Sequence, residues 1–215
     1  MMKKFHILEK MRTQKTDNAL LVATPDNPIP FGYKTEWLCV KAQKPEEVIK
    51  VLGLTNPQPA NWESGYRAVA EGKVFVSPVI DGYILVRGYG ENGNPLPEQI
   101  QELSKLGKSF SQVQYYASHR VVDYAVWAKI EDGEVVRAYG WCGCDGEVLI
   151  NEGKVTPQEE QIGMGNPLTD PLGEEDWDAF DTPDEESVIE LAALWGIDPL
   201  FRGEYPKSAG FVCHK

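Results

Sequence analysis

The sequence predicts an α+β protein: a largely antiparallel sheet, with a hairpin and a three-stranded meander, packed by several short helices. Three observations carry that expectation. Strand-like segments are joined by two-residue Asp-Gly loops at Asp81-Gly82, Asp132-Gly133 and Asp145-Gly146, the sequence of type I′ turns whose twist suits antiparallel pairing. The helical segments are short, opening on Pro or a capping residue and closing on Gly. Strands and helices do not alternate one for one, as a doubly wound sheet would require.

Taken in order, residues 1–35 read as an N-terminal arm. It has a basic start, a short strand-like run over residues 18–24, then Pro25, Pro28 and Pro30, which exclude a central strand or helix. Residues 36–42 alternate at period two and read as a strand. Pro45 opens a helix that stops at Gly53, and Asn61 caps a second that stops at Gly72. Residues 74–80 and 83–87 flank Asp81-Gly82 as a hairpin, with Pro78 marking an edge or a bulge. Pro97 opens a helix with Ile100, Leu103 and Leu106 on one face, closed by Gly107.

Residues 113–118 form a further strand, and 121–130, 134–141 and 147–151 form the meander. Strand alternation puts Tyr124 and Val126 on one face, Ala125 and Trp127 on the other. It also groups Val135, Arg137, Tyr139 and Trp141 against Val136, Ala138 and Gly140. Thr156 and Thr182 are each followed by Pro and, three residues on, by Glu159 and Glu185, two capping boxes. In the helix over 183–195, Val188, Leu191, Ala192 and Trp195 form one apolar stripe, with Gly196 in the left-handed closing position. The expected organisation is one domain over residues 36–201, flanked by the arm and by a C-terminal tail, 202–215.

At 215 residues the chain buries roughly 70 % of its unfolded surface, so its core needs no metal or disulfide. A hydrophobic fraction of 42 % with 25 % charged residues excludes the disordered classes. Four cysteines are too few for a disulfide scaffold. Residues 5–10 hold Glu9 and Lys10 where a signal peptide needs an apolar run, and no apolar run reaches membrane-span length. The expected location is the cytoplasm. The net charge of −12 is concentrated: residues 155–201, an acidic helical segment, hold thirteen Asp and Glu and no Lys or Arg. That segment repels a phosphate backbone, which excludes nucleic acid as partner, and attracts a basic protein. Glu174, Glu175, Asp176 and Asp178 are its candidate partner-binding residues.

Cys142, Cys144, Cys213 and His214 invite a zinc reading, but a one-residue spacer and adjacent Cys-His ligands do not match zinc-site spacing. No metal or cofactor is expected. Ser118, His119 and Asp123 imitate a triad in letters only, since neighbours on an extended segment alternate faces. Gly88, Gly90 and Gly93 imitate a dinucleotide loop, but Pro95 and Pro97 delay any helix. The remaining candidate is an aromatic ligand cleft formed by Tyr116, His119, Arg120, Asp123, Arg137 and Trp141. The competing expectation is that helices cover both faces of the meander.

The segment Lys73-Val74-Phe75-Val76-Ser77-Pro78 with Asp81-Gly82 resembles a family of uncharacterised bacterial cytosolic proteins. The likeness includes Val113-Gln114-Tyr115-Tyr116, His119-Arg120, Trp127, residues 137–141, Asp184-Glu185-Glu186 and residues 195–199. In size, acidity and lack of catalytic residues the chain also resembles the immunity partners of bacterial toxins. These resemblances imply a non-enzymatic protein that binds another protein. The alternative expectation is an enzyme or small-ligand binder built on the aromatic cleft.

Overall fold

The computed structural model describes residues 20–90, 96–144, 146–169 and 179–215. Nine strands form one antiparallel sheet: β1 (Glu36–Lys41), β2 (Thr55–Asn61), β3 (Val74–Val76), β4 (Tyr83–Arg87), β5 (Gln112–His119), β6 (Tyr124–Glu131), β7 (Glu134–Cys142), β8 (Glu147–Gly153) and β9 (Ala209–His214). Their order is β2-β9-β3-β4-β1-β5-β6-β7-β8. The helices are α1 (Pro45–Val51), α2 (Trp62–Ala70), α3 (Leu96–Gly107), α4 (Pro157–Gln161) and α5 (Glu185–Trp195). None of the described helices is long and apolar enough to cross a membrane.

Strand alternation sorts the interior into two cores. Leu38, Val86, Val113 and Ile130 face a core closed by α1 (Val48, Ile49) and α3 (Ile100, Leu103, Leu106). Trp37, Phe75, Tyr116 and Trp127 face the other, closed by α2 (Trp62, Ala68) and α5 (Val188, Leu191, Trp195). Both faces of the meander are therefore covered. Asp132 and Gly133, at φ 49° and 86°, make the expected β6–β7 turn. The hairpin of β3 and β4 carries a bulge at Pro78: the pairing shifts by one residue between Val76–Val86 and Ile80–Tyr83.

The structure corrects the expected organisation at both ends. Residues 20–35 are seated on the domain. Asp26 accepts from the first amides of α2, Trp62 N at 2.8 Å and Glu63 N at 3.1 Å, and Phe31 is buried edge-on to Trp37 at 5.3 Å. Residues 209–214, expected in a tail, are β9, an interior strand between β2 and β3. β2, a segment without a sequence expectation, contains Pro57 and Pro59, which are tolerated because β2 lies at the sheet edge.

Finer corrections follow from side-chain chemistry. Asp184, not Thr182, caps α5, accepting from Ser187 N at 2.8 Å. A bulge at Val136 turns Val135 onto the α3 side, away from Arg137, Tyr139 and Trp141. Gly196 has φ −161°, extended and not left-handed; its lack of a side chain matters because a Cβ would fall 2.8 Å from Gln114 Oε1.

Candidate functional site

Of the six residues expected to line an aromatic cleft, three are buried and three exposed, and Asp123 and Trp141 both flank Gly143. Tyr116 is buried in β5, stacked on Trp37 at 5.0 Å, and its hydroxyl donates to Gln114 Oε1 at 2.9 Å. Trp141 is buried on β7. Arg137 is fully buried: its Nε donates to Glu159 Oε1 at 2.8 Å and its Nη1 to Asn151 Oδ1 at 2.7 Å. His119, Arg120 and Asp123 are exposed around the β5–β6 turn. Arg120 Nε lies 3.5 Å from Glu185 Oε2.

Glu185 explains much of that end of the molecule. It was expected to close a capping box, yet Oε1 accepts from Lys34 N at 2.7 Å and from Ser118 Oγ at 3.0 Å. The carboxylate thus ties the N-terminal segment, β5 and α5 together. Ser118 Oγ lies 3.0 Å from both Glu185 Oε1 and Gly32 O, two acceptors for its single hydrogen.

The cysteines are also dispersed. Cys213 lies on β9 and Cys142 at the end of β7, with five strands between them, which separates them by on the order of 30 Å. Cys142 Sγ and Cys144 Sγ instead approach Val122 O and Val121 O at 3.7 and 3.8 Å. Burial pushes the Cys213 thiol up to about 11 and the Cys39 thiol further.

Of the depressions among the described residues, two combine carboxylates with aliphatic side chains. One is an open groove of about 420 Å³ where α4 meets α5. Asp184, Glu186 and Glu190 line it around Ile162 and Leu194, and no Lys or Arg is among the described lining residues. Leu194 is 38 % exposed. Tyr33 OH donates to Glu186 Oε1 at 2.9 Å, which raises the phenol's pKa. Glu190 meets Arg202 Nη1 at 2.8 Å, and Arg202 also holds Asp198. Glu174, Glu175, Asp176 and Asp178 lie between these helices in sequence and fall outside the described residues.

The second depression is a cavity of about 230 Å³ on the opposite face of the sheet, between α1, α3 and the ends of β1, β4 and β5. Its lining combines Leu38, Leu52, Leu103 and Leu106 with the carboxylate of Glu36 and the ring of Tyr115. Tyr115 OH donates to Glu36 Oε2 at 2.9 Å. Sequence reasoning missed this group, although Glu36, Leu38 and Val40 share one strand face and a carboxylate on an apolar face was a legible signal.

Compared with protein-family models, with curated proteins and with solved structures, the chain matches none.

Proposed function

We propose that this protein acts by binding a basic protein partner through the acidic groove between α4 and α5, without chemistry of its own. In its most concrete form it is an immunity-like inhibitor that masks the basic surface of a bacterial toxin in the cytoplasm. The observation that carries this reading is the groove itself. Three carboxylates surround two aliphatic side chains in an open depression, a polar rim around an apolar centre such as protein interfaces use. The acidic run at residues 170–178 joins the same two helices in sequence. Together they favour Lys- and Arg-rich surfaces by long-range attraction and oppose phosphate backbones. The reading is also supported by the residues a catalytic cleft would need. Tyr116, Arg137 and Trp141 are buried, whereas His119 is exposed.

The test is retention of a partner on immobilised protein, wild type against Glu186→Gln with Glu190→Gln. Exposed charges add little to stability, so the double variant folds, and the expected result is loss of the partner. Equal retention by both proteins overturns the groove as the binding surface.

A further inference from the structure

The cavity between α1 and α3 lies on the sheet face away from the acidic groove, and its chemistry is different. Its body is aliphatic: Leu38 and Val86 from the sheet, Leu52 at the end of α1, Leu103 and Leu106 from α3. Its polar end is the carboxylate of Glu36, which Tyr115 OH engages at 2.9 Å. The backbone passes close beside that carboxylate at Gly90, where a Cβ would fall 2.5 Å from Glu36 Oε1. A side chain at position 90 would therefore displace the carboxylate or fill the space beside it. Burial and the Glu36 charge push the Tyr115 phenol well above its ordinary range, so it stays a neutral donor to the carboxylate.

Among the described residues the lining holds two carboxylates, Glu36 and Glu102, and one ammonium, Lys105. An anionic guest would face net repulsion. A purely apolar guest offers the Glu36 carboxylate neither charge nor hydrogen bond in place of water. A guest with an apolar body and a protonated nitrogen satisfies both ends, placing a charge-assisted hydrogen bond on Glu36. We propose that this cavity is a binding site for a small amphipathic amine, its ammonium on Glu36 and its apolar body against the leucines of α1, α3 and β1.

The test uses three probes of one chain length, n-octylamine, octan-1-ol and octanoate, titrated calorimetrically into the full-length protein. Octylamine is expected to bind, on the order of tenfold or more tighter than octanol, the margin of a hydrogen bond between charged groups, and octanoate to bind weakest. Glu36→Gln retains an acceptor for Tyr115 OH, so the fold is kept, and the amine's advantage over the alcohol disappears. Leu52→Trp, at a half-buried position on the wall, fills the cavity and abolishes binding of octylamine. Octanol or octanoate binding as well as octylamine overturns the proposal. So does octylamine affinity that survives Leu52→Trp in a protein whose thermal unfolding matches wild type. Glu186→Gln lies on the other face and leaves octylamine affinity unchanged, which separates this site from the acidic groove.

Discussion

At Glu159 one carboxylate serves two structures. Oε2 closes the capping box of α4, accepting from Thr156 N at 2.8 Å and Thr156 Oγ1 at 2.9 Å. Oε1 accepts from Arg137 Nε and Trp127 Nε1, each at 2.8 Å, with both members of the ion pair fully buried. The cap was legible in Thr156-Pro157-Gln158-Glu159, a local signature. The ion pair was not, because Arg137 lies 22 residues earlier and only tertiary folding brings it under α4. Hence Arg137 looked like a ligand-binding cation on an aromatic strand. Glu159→Gln keeps an oxygen for the cap but leaves the guanidinium buried without a counter-ion. Breaking a buried pair in this way costs about 3–5 kcal/mol, read as a lowered urea midpoint. A loss below about 0.5 kcal/mol, the scatter of surface substitutions, contradicts a dry, paired Arg137.

Elements with local punctuation were the legible ones. Asn61 caps α2, accepting from Ser64 N at 3.0 Å. Pro45 starts α1, the Asp-Gly turns sit where the hairpin and the β6–β7 turn need positive φ, and the stripe of α5 faces the core. The two missed strands, β2 and β9, lack such signals. Thr55–Asn61 carries two prolines and no strand-like alternation, and Ala209–His214 pairs with β2 and β3, segments distant in sequence. The cap of α5 was misplaced because Thr182-Pro183-Asp184-Glu185 matches the capping-box pattern, whereas Glu185 is instead bonded to Lys34 and Ser118 and the helix starts later. Leu191 tests the stripe directly. It is fully buried on α5, so Leu191→Ala is expected to lose about 2–5 kcal/mol in chemical unfolding. A change below about 0.5 kcal/mol would place that face in solvent.

Across the whole molecule, the two-core arrangement fills the interior with tyrosines and thiols held in their neutral forms. Burial pushes Cys213 up to about 11, and Tyr124 and Tyr139 up to about 12. In the unfolded chain these groups ionise near 9 and 10. Between the two sets of values the folded state holds protons that the unfolded state has released, so stability falls as pH rises. The melting temperature is therefore expected to decline steadily from about pH 9 to about pH 12, and a flat profile over that range contradicts buried phenols. The strand order itself, with the last strand inserted between the second and third, was not legible, since pairing between distant segments leaves no local mark. The charge asymmetry was legible, and the proposed function rests on it. Its most direct measurement is the association rate with the captured basic partner as ionic strength rises, for wild type and for Glu186→Gln with Glu190→Gln. Steering through the α4–α5 groove predicts a wild-type rate that falls steeply with salt, and a slower, flatter profile for the variant. A rate indifferent to both salt and the substitutions would contradict recognition by this surface.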